Sequence, residues 1–178
     1  DKMVIPVVMF VFSLGGATFG MCEETIPFVA MAVPLALKLG YDSITGVAMV
    51  YLGAMIGFAT AFLNPFTVGI AQGIAEIKPF SGLGFRLALW LVFTTVTIAW
   101  VMRYAARIKA SPELSPVFDL DEPRRHAVSE ASQSEKLTKS RIAVLTIIAV
   151  GFGVIIYGAI KLGWYIDEMA SMFLAIGL

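Results

Sequence analysis

Two adjacent carboxylates, Glu23 and Glu24, are the only charged side chains from residue 3 to residue 37. They lie between a glycine-rich stretch, SLGGATFG, and a second apolar run. A charged side chain at mid-bilayer costs about 2.5 to 3.5 kcal/mol on insertion scales, so the pair is expected to face protein, water or a cation. Such a pair can bind a sodium ion, exchange a proton or hold an ammonium or guanidinium group. The alternative is a pair in interfacial water that only ends a helix.

The tetrapeptide NPFT at residues 64–67 is a second polar position within an apolar run. Proline removes a backbone donor, clashes with the carbonyl of Ala61 and disfavours helical geometry at Asn64, so the helix is expected to break here. Carbonyls freed at residues 61–63 could coordinate a cation, and the start of the resumed helix offers N–H groups to a carboxylate. The alternative is a proline kink that serves packing only.

The composition is that of a membrane protein. Hydrophobic residues make up 58% of the 178 residues, and the mean hydropathy is +0.85. Apolar runs at residues 44–63, 87–102 and 142–160 fit the length of about 20 residues that a spanning helix needs. A net charge of zero gives no argument for nucleic acid, and the single cysteine excludes an intramolecular disulfide. No nucleophile and base motif, metal-ligand cluster or phosphate loop indicates an enzyme.

The pattern along the chain predicts an all-α, polytopic membrane protein. Two apolar arms are each too short to span comfortably. They form either a re-entrant hairpin or a full span ending near Cys22 with a short, tilted return, and both readings return the chain to its starting side. The predicted segments are a re-entrant helical hairpin (1–40), a discontinuous transmembrane helix (41–78), a transmembrane helix (79–106), a polar loop (107–140), a transmembrane helix (141–161) and the start of a truncated helix (162–178). Missing terminal signals and an unfinished apolar run suggest an internal piece of a larger protein.

Local signals refine these segments. Ser43 is expected to cap the helix that follows the polar break at residues 40–43. The pairs Gly53-x-x-x-Gly57 and Gly69-x-x-x-Gly73 predict close helix packing on either side of the break at residue 64.

Basic residues set the orientation. Ten of them, Lys2, Lys38 and eight between residues 103 and 141, fall on one side of the predicted topology, against Lys78, Arg86 and Lys161 on the other. Because positively charged loops stay on the cytoplasmic side, the polar loop 107–140 and both feet of the hairpin are predicted to be cytoplasmic, in a bacterial inner membrane.

Several segments resemble a known family. The stretches GGATFGMCEETIPF, GYDSITGVAMVYLGAMIGFATAFLNPFTVGIAQGIAEI, FSGLGF and SPVFDLDE are similar to the YfcC-type membrane proteins. That group is described as basic amino-acid antiporters and is classed with the DcuC-like C4-dicarboxylate carriers of the ion transporter superfamily. The resemblance runs along essentially the whole chain.

The resemblance implies one half of an inverted-repeat transporter, in which a re-entrant hairpin and a broken helix meet near the membrane midplane. It implies a secondary active transporter that moves an amino acid, with arginine and ornithine as examples, or a small organic acid by elevator-like alternating access. Na⁺, H⁺ or counter-substrate would be the coupling species, no other cofactor is expected, and the full-length parent would be a homodimer. The alternatives are a C4-dicarboxylate carrier of the same fold and a channel or structural membrane subunit.

By position, the hairpin tip and the helix break would form half of the substrate and cation site. The candidate binding residues are Gly20, Cys22, Glu23, Glu24, Thr25, Asn64, Pro65, Thr67 and Gln72, and a sodium ion is expected near Ala61, Phe62, Leu63 and Asn64. A glutamate pair at the tip is unusual for a site that handles only dianions, and it favours a cationic or zwitterionic substrate.

Overall fold

The computed structural model describes residues 2–132 and, beyond them, residues 143–144, 146–147, 150–151, 154, 157, 171–172 and 174–175. All regular structure in these residues is helical, which confirms the all-α fold class. The α-helices are α1 (Val4–Thr18), α2 (Thr25–Lys38), α3 (Ser43–Ala59), α4 (Ile70–Ile74), α5 (Leu83–Ala110) and α6 (Phe118–Ser132). A π-helical turn (Pro65–Gly69) precedes α4, and a 3₁₀ turn (Pro112–Leu114) precedes α6.

The chain divides into two compact units, Asp1–Gln133 and Ser134–Leu178. In the second unit the described positions between residues 143 and 157 and between residues 171 and 175 are helical. Side chains from both sets line a groove of about 340 Å³. The remaining positions of the predicted segments 141–161 and 162–178 lie outside the described residues, and a membrane crossing there stays a prediction.

Helices α1 and α2 form a hairpin, and each of them ends at a glycine with a left-handed backbone. Gly20 and Gly40 both have φ of +83°, a conformation that residues with a Cβ adopt only with strain. After α2, the N–H of Gly40 donates to the carbonyl of Leu37, and that of Tyr41 donates to the carbonyl of Ala36. These two bonds satisfy carbonyls that a helix end leaves free and turn the chain toward α3.

Helix α3 is capped by Asp42, so the prediction that Ser43 is the cap is wrong. Asp42 Oδ1 accepts hydrogen bonds from the N–H of Thr45 at 2.8 Å and from its hydroxyl at 2.6 Å. Ser43 is the first residue of the helix, and both its N–H and its hydroxyl donate to Asp121. The cap therefore lies one residue earlier than predicted. The hydroxyl of Ser43 does not cap the helix because it is hydrogen-bonded to Asp121.

Glycines allow α1 and α3 to pack with their backbones almost in contact. A Cβ placed on Gly57 would lie 1.9 Å from the carbonyl oxygen of Ser13, and one on Gly16 would lie 2.2 Å from that of Ala54. Gly53 lies against Met9 in the same way. The Gly53-x-x-x-Gly57 pair thus forms the predicted close contact. At Gly73, by contrast, an added Cβ would have no neighbour within 4 Å in the described part of the chain.

Helix α5 holds the hairpin from the side. It has 28 residues, about 42 Å at 1.5 Å per residue, and among the described residues it is the one helix long and apolar enough to cross a membrane. Trp90 Nε1 donates to Ser13 Oγ at 2.8 Å, and Ser13 Oγ is hydrogen-bonded to Thr94 Oγ1 at 2.8 Å. These buried bonds fix α1 on α5.

The segment predicted as a polar loop at residues 107–140 is helical over much of its described length. Helix α5 continues to Ala110, and α6 covers Phe118–Ser132. The prediction of a loop was wrong for these residues. It was based only on their charge, which indicated exposure to solvent. Asp121 is instead fully buried against Ser43, while acidic residues in the first turn of α6 suit the positive end of a helix dipole.

The α1 and α3 contact gives a first testable prediction. Gly57→Ala in the full-length protein should lower the yield of monodisperse protein and its thermal midpoint, because a methyl group cannot fit against the Ser13 carbonyl. Overpacking of this kind costs about 1 to 3 kcal/mol. Gly84→Ala is the matched control, since no described atom lies within 4 Å of its Cβ position. Equal thermal midpoints for the two variants would contradict the packing described.

Candidate functional site

The helix that begins at Ser43 is interrupted at residues 60–64. Asn64 starts the next helical segment, and its Oδ1 accepts from the N–H of Phe66 at 2.8 Å and of Thr67 at 3.3 Å. The following turn, Pro65–Gly69, is π-helical, an irregularity often found at functional sites. Asn64 therefore caps the resumed helix with its side chain.

The hairpin tip is bound to this break by hydrogen bonds. The carbonyl of Ala17, near the end of α1, accepts from the N–H of Phe62 at 3.3 Å and of Leu63 at 3.1 Å. Asn64 Nδ2 donates to the carbonyl of Gly16 at 3.1 Å, and the Asn64 side chain is fully buried. The end of α1 and the break therefore behave as one packed unit.

Gly20 completes this contact. A Cβ at Gly20 would lie 2.7 Å from the ring of Phe66 and 3.0 Å from Asn64 Oδ1. Its positive φ gives a second reason for glycine at this position. Of the predicted site residues, the structure thus brings Gly20 and Asn64 together.

An aromatic cluster supports the break from behind. Phe62 is buried with Ala17 and Trp90 in one apolar cluster. The rings of Phe62 and Trp90 are edge to face with centroids 5.3 Å apart, a favourable aromatic arrangement. Because Trp90 also donates to Ser13, a single side chain of α5 positions both α1 and the break. The sequence carries no local signal for this role.

The two glutamates lie on a different side of the tip. Glu24 Oε2 accepts from the N–H of Cys22 at 3.0 Å, so one carboxylate helps to close the tip. Thr25 is buried, and its hydroxyl donates to the carbonyl of Cys22 at 2.6 Å. Glu23 is exposed, and while its backbone carbonyl accepts from the N–H of Ile26, its carboxylate makes no hydrogen bond or ion pair with the described residues. The carboxylate of Glu23 is therefore the one free for a ligand.

A groove of about 310 Å³ runs beside Glu23. It is lined by tip residues, by the start of α2 and by the outer face of α3, namely Cys22, Glu23, Thr25, Ile26, Val29, Val47 and Tyr51. Sequence reasoning missed Val47 and Tyr51, which lie within an uninterrupted apolar run and carry no distinguishing pattern. Of the predicted residues, Gly20, Asn64, Pro65 and Thr67 thus lie at the break, while Cys22, Glu23 and Thr25 line this groove.

Free oxygen atoms lie near the break. The carbonyls of residues 61–63 accept no hydrogen bond from the described backbone. The hydroxyl of Thr67 is buried and has no hydrogen-bond partner among the described residues. Carbonyl and hydroxyl oxygens are the type of ligand that a hard cation prefers.

Gln72 has a local task. Its side chain is buried, its Nε2 donates to the carbonyl of Ser81 at 3.0 Å, and its Oε1 accepts from the N–H of Phe80 at 2.5 Å. These bonds close the turn between α4 and α5. The structure therefore does not bring the Gln72 amide to the tip.

The described helices thus include a helical hairpin, an interrupted helix and one helix long and apolar enough to cross a membrane. The sequence matches the family described as "DcuC: C4-dicarboxylate anaerobic carrier" over residues 1–178, so the chain belongs to the DcuC family. The description of this family names a carrier, which is a transport protein.

Two curated proteins are similar to the chain. One, from Escherichia coli (strain K12), carries the name "Putative basic amino acid antiporter YfcC" and is 40% identical over 178 residues, all of this chain and 35% of that protein. The other, an uncharacterized protein of Haemophilus influenzae, is 36% identical over 166 residues, 92% of this chain and 33% of that protein. The chain thus spans about a third of the length of these relatives. No solved structure matches the chain.

The link between the tip and the break gives the second prediction. Asn64→Ala removes a helix cap and leaves the buried carbonyl of Gly16 without its donor, so it should destabilise the protein by about 2 to 4 kcal/mol. Asn64→Asp keeps the cap acceptor and should retain part of this stability. The measurement is the thermal midpoint in detergent, with Thr95→Ala, a change of an exposed residue, as control. A midpoint for Asn64→Ala equal to that of the control would contradict the link.

Proposed function

We propose that the full-length protein is a secondary active transporter that exchanges small amino acids with a cationic side chain, such as arginine and ornithine. The observation that carries this proposal is the unpaired carboxylate of Glu23 at the rim of the groove beside the hairpin tip. The name of the Escherichia coli relative supports the same substrate class.

The groove suits such a substrate in size and chemistry. Its volume of about 310 Å³ lies at the lower end of the range for small-molecule pockets. Ile26, Val29 and Val47 provide apolar walls for a methylene chain, while Glu23 supplies a negative charge for its ammonium or guanidinium end. Tyr51 adds an aromatic face, which attracts a cation through its ring quadrupole.

Coupling to a cation is proposed at the break. The carbonyls of Ala61, Phe62 and Leu63 together with the buried hydroxyl of Thr67 would hold Na⁺ beside Asn64. Proton coupling would instead use a tip carboxylate. In either case the binding of the cation would order the segment that anchors the tip, because Phe62 and Leu63 donate to Ala17.

The wider setting belongs to the same proposal. The hairpin would be re-entrant, the parent would be a homodimer in the bacterial inner membrane, and residues 107–140 would lie on the cytoplasmic side, as the basic residues predict. The other half of the inverted repeat would supply the remaining ligands of the substrate. Alternating access would move the hairpin together with the break, since the two are packed as one unit.

A C4-dicarboxylate carrier is the second candidate, and the family description favours it. A dicarboxylate would use N–H groups at the start of the resumed helix. Two of these, from Phe66 and Thr67, already donate to Asn64 Oδ1. This half of the site therefore has fewer free N–H groups for binding a dianion than the sequence predicts.

The third prediction tests the role of Glu23. In proteoliposomes loaded with ornithine, Glu23→Gln should raise the KM for arginine by about tenfold or more, because the substrate loses a charged partner. Glu24→Gln should have a smaller effect, since an amide oxygen can still accept from the N–H of Cys22. Glu113→Gln, the same change on an exposed residue of the 3₁₀ turn, serves as control.

Two outcomes would contradict the proposal. One is an unchanged KM for arginine in both tip variants. The other is exchange of succinate without exchange of arginine, which would favour the dicarboxylate carrier. Conductance without counter-transport would identify a channel.

A further inference from the structure

Two fully buried aspartates lie at the end of α3 that is opposite the break. Asp42 and Asp121 are both 0% exposed. They form, with the donors Ser43, Tyr104 and Ser115, a cluster that we call the carboxylate clamp. Because α3 has 17 residues, its first residue lies about 25 Å from the break. None of the residues of the carboxylate clamp lines the groove beside Glu23, although that groove reaches Val47, four residues along α3 from Ser43.

Asp42 joins three elements. While its Oδ1 caps α3, its Oδ2 accepts from the hydroxyl of Tyr104 on α5 at 2.5 Å and from that of Ser115 at 2.7 Å. The buried carboxylate of Asp42 is therefore supplied with hydrogen bonds from Thr45, Tyr104 and Ser115.

Asp121 attaches α6 to the start of α3. Its Oδ2 accepts from the N–H of Ser43 at 2.7 Å, and its Oδ1 accepts from the hydroxyl of the same residue. Arg125 adds a bond from Nη2 to the carbonyl of Tyr41 at 2.7 Å, and Arg124 Nη1 lies 3.7 Å from Asp121 Oδ1. Helix α6 is thus fastened to the turn between α2 and α3 by buried, charge-assisted bonds, which are stronger than neutral ones.

We propose that Asp42 and Asp121 are positioning residues for transport, which bind α6 to the base of the hairpin so that α6, the start of α3 and the end of α5 move as one body. This proposal rests on the transport function proposed above. Helix α6 then keeps its place against the start of α3 and the end of α5 throughout transport. A merely solvated connection after Ala110 would leave α6 free to move relative to them.

The first test compares two aspartates of the same helix in the full-length protein. Asp121→Ala should speed hydrogen–deuterium exchange at the start of α3 by about tenfold, because the N–H of Ser43 loses its buried acceptor. Asp119→Ala, an exposed aspartate two residues earlier, should leave that exchange unchanged. Equal exchange in the two variants would overturn the proposal. This readout needs no transported substrate.

The second test separates positioning from folding. Asp121→Ala should lower the maximal rate of arginine and ornithine exchange about five- to tenfold and leave the KM for arginine within about twofold, since neither Asp121 nor its partner Ser43 lines the groove. Asp121→Asn, which keeps an acceptor for the N–H of Ser43, should recover part of the rate. A raised KM with an unchanged maximal rate would overturn the proposal.

A covalent replacement of the clamp is the decisive variant if Asp121→Ala fails to fold. Ser43→Cys with Asp121→Cys, reconstituted reduced, should show the lowered rate, and oxidation to a disulfide in the same proteoliposomes should restore it. The variants that carry only one of these two substitutions should not respond to oxidation. Loss of transport on oxidation would show that α6 must leave the hairpin, which overturns the proposal. If the wild type moves no arginine, the substrate assignment fails. The comparison of hydrogen–deuterium exchange in Asp121→Ala and Asp119→Ala then decides alone on the carboxylate clamp.

Discussion

The close approach of α1 and α3 is the constraint on which the rest of the structure depends. Gly16 and Gly57 let each backbone lie against a carbonyl of the other helix. At that distance the Ala17 carbonyl reaches the N–H groups of Phe62 and Leu63, and Asn64 reaches Gly16. A side chain at either glycine would push the helices apart and break these bonds. The shape of the break therefore depends on the lack of a side chain at Gly16 and Gly57 as much as on Pro65.

Helix α3 connects the break at one end of the hairpin to the carboxylate clamp at the other. Its last turn runs into the break, and its first turn is held by the carboxylate clamp. Both ends are fixed to elements distant in sequence, the first to α5 and α6 and the last to α1. A helix anchored at both ends transmits a displacement along its axis instead of absorbing it. This gives the proposed alternating access a rigid element.

Local rules of the sequence predicted features that depend on local geometry. Pro65 indicated an interrupted helix because a missing N–H and a steric clash act within one turn. The isolated glutamates indicated a polar tip because of the apolar residues around them. The sequence could not show that Glu24 closes the tip whereas Glu23 lines a groove with Tyr51, because that division depends on which helix packs beside them. Helix α6 was missed for the same reason, since Asp121 and Ser43 are 78 residues apart.

The way in which Asn64 is used bears on the charge of the substrate. An uncapped helix start would offer its N–H groups to a carboxylate, which is how a dicarboxylate carrier would be expected to use a broken helix. Here Asn64 Oδ1 already accepts hydrogen bonds from the N–H groups of Phe66 and Thr67, so these two groups are not free to bind a carboxylate. Glu23 then leaves a net negative character at the groove. Under the proposed function, this half of the transporter would bind the cationic end of an amino acid and leave its carboxylate to the other half of the inverted repeat.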